Sequence, residues 1–468
     1  MPLYKLRYKV VNGVTLQQTD ARAHLYPDKE QSETGLNFDS ARGYIEALRS
    51  EGKLYTSQHN DDPRIDIDGR FALSVYGTAV PDLLREMALS NPSAKPLDNN
   101  AVSTIVANLA GLCRRSGVTV PVFMRCGVDE IKRRHFIELG DSIIELSADG
   151  HRVVKDPSTL PVRIIQGANA APMPTPSIVD PVDLPSRVEA VWETLNIDEP
   201  YRLVLLACMV NSLLCRKQNP IMLFVGPPNS GKSVALQQVR DLIDPQNLEL
   251  GSKPSDQNDF VSRLSSNYMT AFDNMKGVTG TVEDILCNAA DGGVYTKRRL
   301  RTTNDNASID VSGPMGFTSV QSRIFKQEDL QSRAVTIRVS PSKNRKDRQE
   351  IETAYQEAKG EIFSTFVALA VEVLKVQPEI TDSSGHRYDQ FVKTGNAILQ
   401  VLGCDETMAN LFERERLAAL EEEIDSHPSA LRALVKLMLI ERSWNKACLL
   451  YTSPSPRDRT RSRMPCSA

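Results

Sequence analysis

The sequence predicts an α/β protein, with a β-rich N-terminal region before a parallel-sheet core and an all-α C-terminal region after it. Three observations carry this. Short apolar runs at Ile221–Val225, Asn267–Phe272 and Ala334–Val339 alternate with helical segments, the pattern of a mostly parallel sheet. A glycine-rich turn joins the first of these runs to a helix. A proline-rich stretch, residues 167–185, separates this pattern from the strand-rich sequence before it.

The 468 residues carry 56 Lys+Arg against 59 Asp+Glu, a net charge of −3, and are 41% apolar. A chain of this length holds several domains and has ample material for a core. The composition excludes fibrous and wholly disordered chains. The near balance of charge excludes a protein basic all over, so a nucleic-acid surface must be a local patch. Eight cysteines lie scattered without a CxxC pair, which predicts reduced thiols rather than a disulfide or zinc framework. The N-terminus shows no signal-peptide pattern, and the longest apolar run, Leu203–Cys215, is too short for a membrane span and reads as a buried helix. The expected location is the cytoplasm, that of a bacterial host if the gene belongs to a phage, with no membrane partner.

Along the chain, Tyr4–Val11 reads as a strand and Ser40–Ser50 as a short helix. Ile65–Tyr76 alternates as one strand, and Val80–Ala88 and Asn99–Ser116 are helical in period. Arg134–Asp156 reads as a β-meander with turns at Gly140-Asp141 and Asp149-Gly150. Ser186–Leu195 and Tyr201–Cys215 are helical. Glu283–Ala290 is a short helix, and Asp310–Val320 reads as a strand. From Arg345 to Ala447 the chain is helical, with a break near Thr381–His386. These readings divide the chain into a mixed α/β region over 1–165 and a linker over 166–187. A core domain over 188–345 and a helical region over 346–447 follow. Residues 448–468 resemble a translated sequencing adaptor and are set aside as non-native, with the natural chain expected to run on past Ala447. That tail holds four arginines and one aspartate, so the remainder carries −6.

Gly226-Pro227-Pro228-Asn229-Ser230-Gly231-Lys232-Ser233 fits G-x-x-x-x-G-K-[ST]. The match gains weight because IMLFV precedes it as a strand and the helix opens at Ser233-Val234. Backbone N–H groups of such a loop form an anion nest at a helix N-terminus. Lys232 then reaches the β- and γ-phosphates, and Ser233 ligates Mg²⁺. Hydrolysis also needs an acid at the end of a neighbouring strand, for which Asp273 is the candidate. The next residue is Asn274, an amide, which can position water but cannot take its proton. Three options stay open: phosphate as the proton acceptor, a carboxylate from Glu283 or Asp284, or slow hydrolysis.

GPPNSGKS, AFDN, GGVYTKRRLRTT, GFTSV and DLQSRAVTIRV in this order resemble the AAA+-type ATPases of bacteriophages and integrated mobile elements. Those are related to superfamily 3 helicases and poxvirus-type primase-helicases. The likeness covers about residues 120–403, including FIELGDSIIELSADGHRVVKD upstream and GHRYDQFVKTGNAILQVLG downstream. It implies an AAA+-like P-loop core, ATP and Mg²⁺ as cofactors, and a homo-oligomeric ring. It further implies Thr318 as a residue sensing the γ-phosphate or its water, against a plain strand-edge threonine. Arg333 is implied to reach a neighbouring subunit's γ-phosphate, against an intrachain salt bridge to Asp329. Arg387 is implied as a lid arginine over the nucleotide.

Lys297, Arg298, Arg299 and Arg301 crowd one segment of an acidic chain, before an Asn304-Asp305-Asn306 turn. Extended runs on both sides read as a hairpin, able to contact the phosphates of single-stranded or forked DNA without reading bases. The alternatives are a solvated strand or arginines on the nucleotide. Asp61, Asp62, Asp66 and Asp68 form an acidic stretch that reads as a solvated loop rather than a two-metal centre. The functional expectation is an Mg-ATP-dependent DNA helicase or translocase of phage or mobile-element replication. The alternatives are an ATP-gated loader or scaffold with slow hydrolysis, and a small-molecule kinase.

Overall fold

The computed structural model describes residues 41–58, 60–67, 71–90, 96–167, 169–215, 217–298, 306–341, 347–381 and 387–426. The strand expected at Tyr4–Val11 and the tail 448–468 lie outside them. The chain forms two compact units, Met1–Ala409 and Asn410–Ala468, so no division falls at the proline-rich stretch. Among the described residues no helix is long and apolar enough to cross a membrane.

The N-terminal region opens with α1 (Ala41–Glu51), then β1 (Gly52–Ser57), β2 (Pro63–Ile67) and β3 (Phe71–Ser74). Helices α2 (Ala79–Ser90) and α3 (Asn99–Arg115) follow, then β4 (Thr119–Val120). The sheet runs β3-β2-β1-β4, antiparallel except where β4 joins β1. Tyr44, Leu48, Ile65, Ile67, Leu84, Ile105 and Leu109 form its core with the helices. The segment Ile65–Tyr76, read as a single strand, is thus two strands of a hairpin. The acidic stretch is also corrected: Asp66 is no solvated residue. It is 2% exposed, accepts a 2.8 Å hydrogen bond from the Tyr55 hydroxyl and pairs with Arg163 at 2.5 Å. Asp62 pairs with Arg64, and Asp68 lies outside the described residues.

Next come β5 (Val122–Met124) and β6 (Cys126–Asp129), then the meander's β7 (Arg134–Glu138), β8 (Ile143–Ser147) and β9 (Gly150–Val154). The order is β6-β7-β8-β9, all antiparallel, as the turns predict. The last strand of this region, β10 (Arg163–Ile165), lies parallel to β5.

The proline-rich stretch is extended but is not a free spacer. Ala170 bridges Gln246, the Ala171 N–H donates to the Pro245 carbonyl, and the Met173 N–H donates to Leu139. The Ser177 N–H donates to the Ser364 hydroxyl, and Met173 and Val179 are buried. It is a strap bonded to the core domain, the meander and the C-terminal helices in turn.

The core domain contains α4 (Leu184–Thr194), α5 (Arg202–Leu213), β11 (Ile221–Val225), α6 (Lys232–Ile243), α7 (Gln257–Ser266) and β12 (Thr270–Phe272). It continues with α8 (Gly280–Ala290), β13 (Val294–Arg298), β14 (Asn306–Asp310), β15 (Met315–Ser319), α9 (Glu328–Gln331) and β16 (Ala334–Arg338). Four strands form one parallel sheet in the order β12-β15-β11-β16. Both faces are covered, which is why the runs are continuously apolar. Ile221, Leu223 and Val225 face α7 and α8, with Phe260, Phe272 and Phe317 stacking at centroid distances of 5.1 and 5.7 Å. On the other face α6 lies so close that a Cβ on Gly316 would come 2.4 Å from Leu236. The helix α5 is buried all round, as the apolar run predicts. The run Asp310–Val320, read as one strand, breaks at Gly313, where a Cβ would meet the Tyr268 carbonyl at 2.5 Å. The residues before the break belong to a hairpin and those after it to β15.

Beyond the sheet, α10 (Arg348–Val376) opens on a capping box of Asp347 and Glu350, and α11 (Asp389–Val401) and α12 (Met408–Ser426) follow.

One residue joins the regions. Arg125 is fully buried and pairs with Glu138 of β7 at 2.8 Å and Asp244, after α6, at 2.9 Å. It also donates to the carbonyls of Ala171 and Pro245. Arg125→Ala would leave two buried carboxylates without their cation, a loss of about 3–5 kcal/mol. A urea unfolding series is expected to show that drop, whereas Arg152→Ala, removing an exposed arginine, should shift the midpoint little.

Candidate functional site

The glycine-rich loop leaves the end of β11 at the sheet edge where parallel strands place their C-termini. Gly226 has no room for a side chain, since a Cβ would lie 2.2 Å from the Val339 carbonyl oxygen. Asn229 (φ 62°) and Gly231 (φ 93°) take left-handed conformations that fold the loop back onto the start of α6. No side chain caps α6 at Gly231, which leaves the amides of its first turn directed at the loop. Lys232 is 9% exposed, and its ammonium donates to the Pro227 carbonyl at 2.6 Å across the loop. Burial lowers its pKa below the ordinary lysine value, and the Asp273 charge partly offsets this.

Three predicted residues meet on one oxygen. Asp273 follows β12, and its Oδ1 accepts from the Ser233 hydroxyl at 2.7 Å and from the Thr318 hydroxyl at 2.5 Å. The Asn274 N–H donates to the same Thr318 oxygen at 2.8 Å. Thr318 sits on β15 between β12 and β11 and is 1% exposed. Its hydroxyl is committed to Asp273 and to the Asn274 backbone, so its contacts orient the carboxylate. Asn274 is exposed and holds φ 54°, a conformation that Asn tolerates better than most residues. The donor set of one hydroxyl and one carboxylate, side by side and reachable by water, suits a hard, oxygen-seeking divalent cation.

The other expected participants lie elsewhere. Glu283 is fully buried and accepts the N–H groups of Lys326 and Gln327 at 2.9 Å each, so it is no candidate base. Asp284 is exposed and accepts from the Gln327 side chain. Arg333 precedes β16, and the register sets Ala334 beside Ile221 and Arg338 beside Val225. It therefore stands at the opposite end of the sheet from the loop, about 16 Å away at ~3.3 Å per residue. There it pairs with Asp329 at 2.5 Å, the intrachain alternative, and also with Asp291 at 2.6 Å. Burial opposes its charge, but the bonds to Asp291 and Asp329 outweigh that and hold its pKa above the ordinary arginine value. Arg387 pairs with Asp329 at 2.9 Å at this same end, so the expectation that it covers the nucleotide in its own chain is corrected.

The expected basic hairpin exists. Its strands β13 and β14 pair antiparallel, from Val294 with Asp310 to Arg298 with Asn306. Lys297 and Arg298 therefore lie on β13, while Arg299, Arg301 and the expected turn fall outside the described residues. Asn306 opens the second strand instead of sitting in the turn. The Gln257 side chain braces the hairpin through the Tyr295 hydroxyl at 2.9 Å.

Two residues at the site were not anticipated. The Asn196 side chain donates to the carbonyls of Ser230 and Ser340, tying the loop to the end of β16, and Asp198 accepts from Ser340. Both lie in the turn after α4, where only a helix end was legible.

Residues 197–398 match the model of the actinomycete integrative conjugative element replication protein family. No curated protein is found to match the chain. Solved structures similar to it include the NrS-1 C-terminal region, at 11% identity and TM-score 0.38, covering 80% of this chain and 92% of that one. SCCmec type IV Cch, an active helicase, aligns at 12% and 0.39, covering 84% and 78%. JCV helicase aligns at 14% and 0.26, covering 49% and 63%.

Gly226→Ala forces its Cβ against a backbone carbonyl, so the end of β16 must move. The expected loss is about 1–3 kcal/mol of stability, as in other overpacked sites. A thermal unfolding curve checks it, and an unchanged midpoint would show that the loop has slack.

Proposed function

We propose that the chain binds Mg-ATP in the loop Gly226–Val234 and hydrolyses it, driving a helicase-type motor on DNA in the replication of a mobile element or phage. The observation that carries the reading is the convergence of Ser233, Thr318 and Asp273 beside the buried Lys232. The family matched by residues 197–398, that of a replication protein, supports the biological setting.

In this reading the loop amides and Lys232 bind the β- and γ-phosphates, and Ser233 and Asp273 hold the metal. Mg²⁺, when bound, neutralises charge on the phosphate oxygens. Thr318 keeps the Asp273 carboxylate turned toward Ser233. Asn274 positions the attacking water by its amide, and the proton passes to phosphate, because Glu283 is buried in other bonds and Asp284 faces solvent. Arg333 serves a neighbouring subunit's nucleotide in a ring, since its place opposite the loop keeps it from its own. Lys297, Arg298, Arg299 and Arg301 grip DNA phosphates.

A second reading, an ATP-gated loader or scaffold with slow turnover, is favoured by Asn274, which stands where a carboxylate base would be useful. Steady-state hydrolysis with and without single-stranded DNA separates the two. DNA-stimulated turnover that falls at least about 100-fold in Lys232→Ala supports the motor. Nucleotide binding with no turnover in either condition supports the loader.

Arg298→Ala with Arg299→Ala is expected to weaken DNA binding for all sequences alike. It should also reduce the slope of log K against log salt by about 2. Fluorescence anisotropy over a salt series measures this, and an unaltered slope removes the hairpin from the DNA interface.

A further inference from the structure

The ion pair that holds Arg333 has a partner with a second attachment. Asp291 ends α8 and is followed by Gly292 and Gly293, which turn the chain directly into β13 of the basic hairpin. Its carboxylate is bidentate on Arg333, with Nη2 at 2.6 Å and Nε at 3.1 and 3.2 Å. Asp329, the other partner of Arg333, is shared with Arg387.

The turn between Asp291 and the hairpin has no slack. Gly292 holds φ 78°, and a Cβ there would lie 2.8 Å from the Lys217 carbonyl oxygen. A Cβ on Gly293 would overlap the Asn288 side chain at 1.7 Å, and that side chain donates to the Val294 carbonyl at 2.9 Å. The entry to β11 holds the backbone on each side of the pair, since the Asn219 N–H donates to the carbonyl of Ala290, next to Asp291, and the Ile221 N–H to that of Arg333. At the other end of α8 the buried Glu283 is bonded to the segment between β15 and α9. A displacement of the hairpin root therefore reaches the Arg333 guanidinium through one rigid helix end.

We propose that Asp291 is a positioning residue that couples the hairpin's grip on nucleic acid to the presentation of Arg333 toward a neighbouring subunit's nucleotide. The proposal rests on the reading of Arg333 given above. In the free chain Asp291 retains the guanidinium. A γ-phosphate offered across the subunit interface competes for it, and release lets the α8 end and the hairpin shift together.

The coupling is measured as a ratio of dissociation constants. A labelled single-stranded oligodeoxythymidine is titrated with the full chain in the presence of a slowly hydrolysed ATP analogue, and again with ADP. The wild-type constants are expected to differ by at least about fivefold, the lower end of typical coupling. Asp291→Asn should bring the ratio close to one while leaving binding in ADP within about twofold of wild type. In the Arg333→Ala background, Asp291→Asn should have no further effect on the ratio. Asp291→Glu keeps the charge but moves the carboxylate outward, and an intermediate ratio is expected. A wild-type ratio in both Asp291 variants overturns the proposal, as does a ratio of one in the wild type. Wild-type protein that binds no ATP would overturn the reading of the loop itself, and the coupling with it. Wild-type protein that turns ATP over but shows no ratio overturns the coupling alone.

Discussion

The buried guanidinium of Arg125 is the point at which three parts of the chain are tied together. A cation with no exposure to water persists only when carboxylates and carbonyls surround it. Here they come from the meander, the strap and the end of α6. The Asp244 carboxylate also accepts the Met269 N–H at 3.0 Å and the Gln246 side chain at 2.9 Å. Met269 stands immediately before β12, and Asp244 immediately after α6. One carboxylate thereby fixes the far ends of the helix that begins with Lys232-Ser233 and of the strand that delivers Asp273. The near ends are then left 2.7 Å apart, hydroxyl to carboxylate.

A second arrangement follows from the sheet order. Placing β15 between β12 and β11 sets Thr318 between the acid and the loop. A buried hydroxyl there has no water to satisfy it and must bond its neighbours. It takes the Asn274 N–H and gives its own hydrogen to Asp273. The left-handed turn at Asn274 then carries the chain on so that the next N–H, that of Met275, donates to the Thr318 carbonyl at 2.8 Å.

The loop and the helix after it were legible because their signal is local: glycines where the chain turns, a lysine and a hydroxyl at a helix start, apolar residues before. Asp273 was legible as the polar end of an apolar run. The direction of the Thr318 hydroxyl was not, since that depends on which strand lies beside it. The hairpin was read from charge clustering around a turn, but its strands were shifted because Val294 and Tyr295 belong to it as well. For Arg333 the spacing offers only Asp329, four residues away. Its other partner Asp291, 42 residues off, left no trace in spacing. Nothing in the spacing marks Arg125, whose carboxylates lie 13 and 119 residues distant. Asp66 differs from its sequence reading because an acidic run looks solvated until a tyrosine and an arginine from other strands close over it. Helix α7 has no clear apolar period because its polar sequence hides three core residues behind an Asp256 cap.

The strap has a consequence for how separable the parts are. Composition marks residues 166–187 as the place to cut the chain in two. A polypeptide starting at residue 188 would carry Asp244 and Pro245 into solvent without Arg125, and would lose the Ala170–Gln246 bridge beneath α6. The half that carries the glycine-rich loop thus borrows part of its interior from the half before it. Recombination between relatives at the proline-rich joint would have to exchange Arg125, Glu138 and Asp244 as one inherited unit.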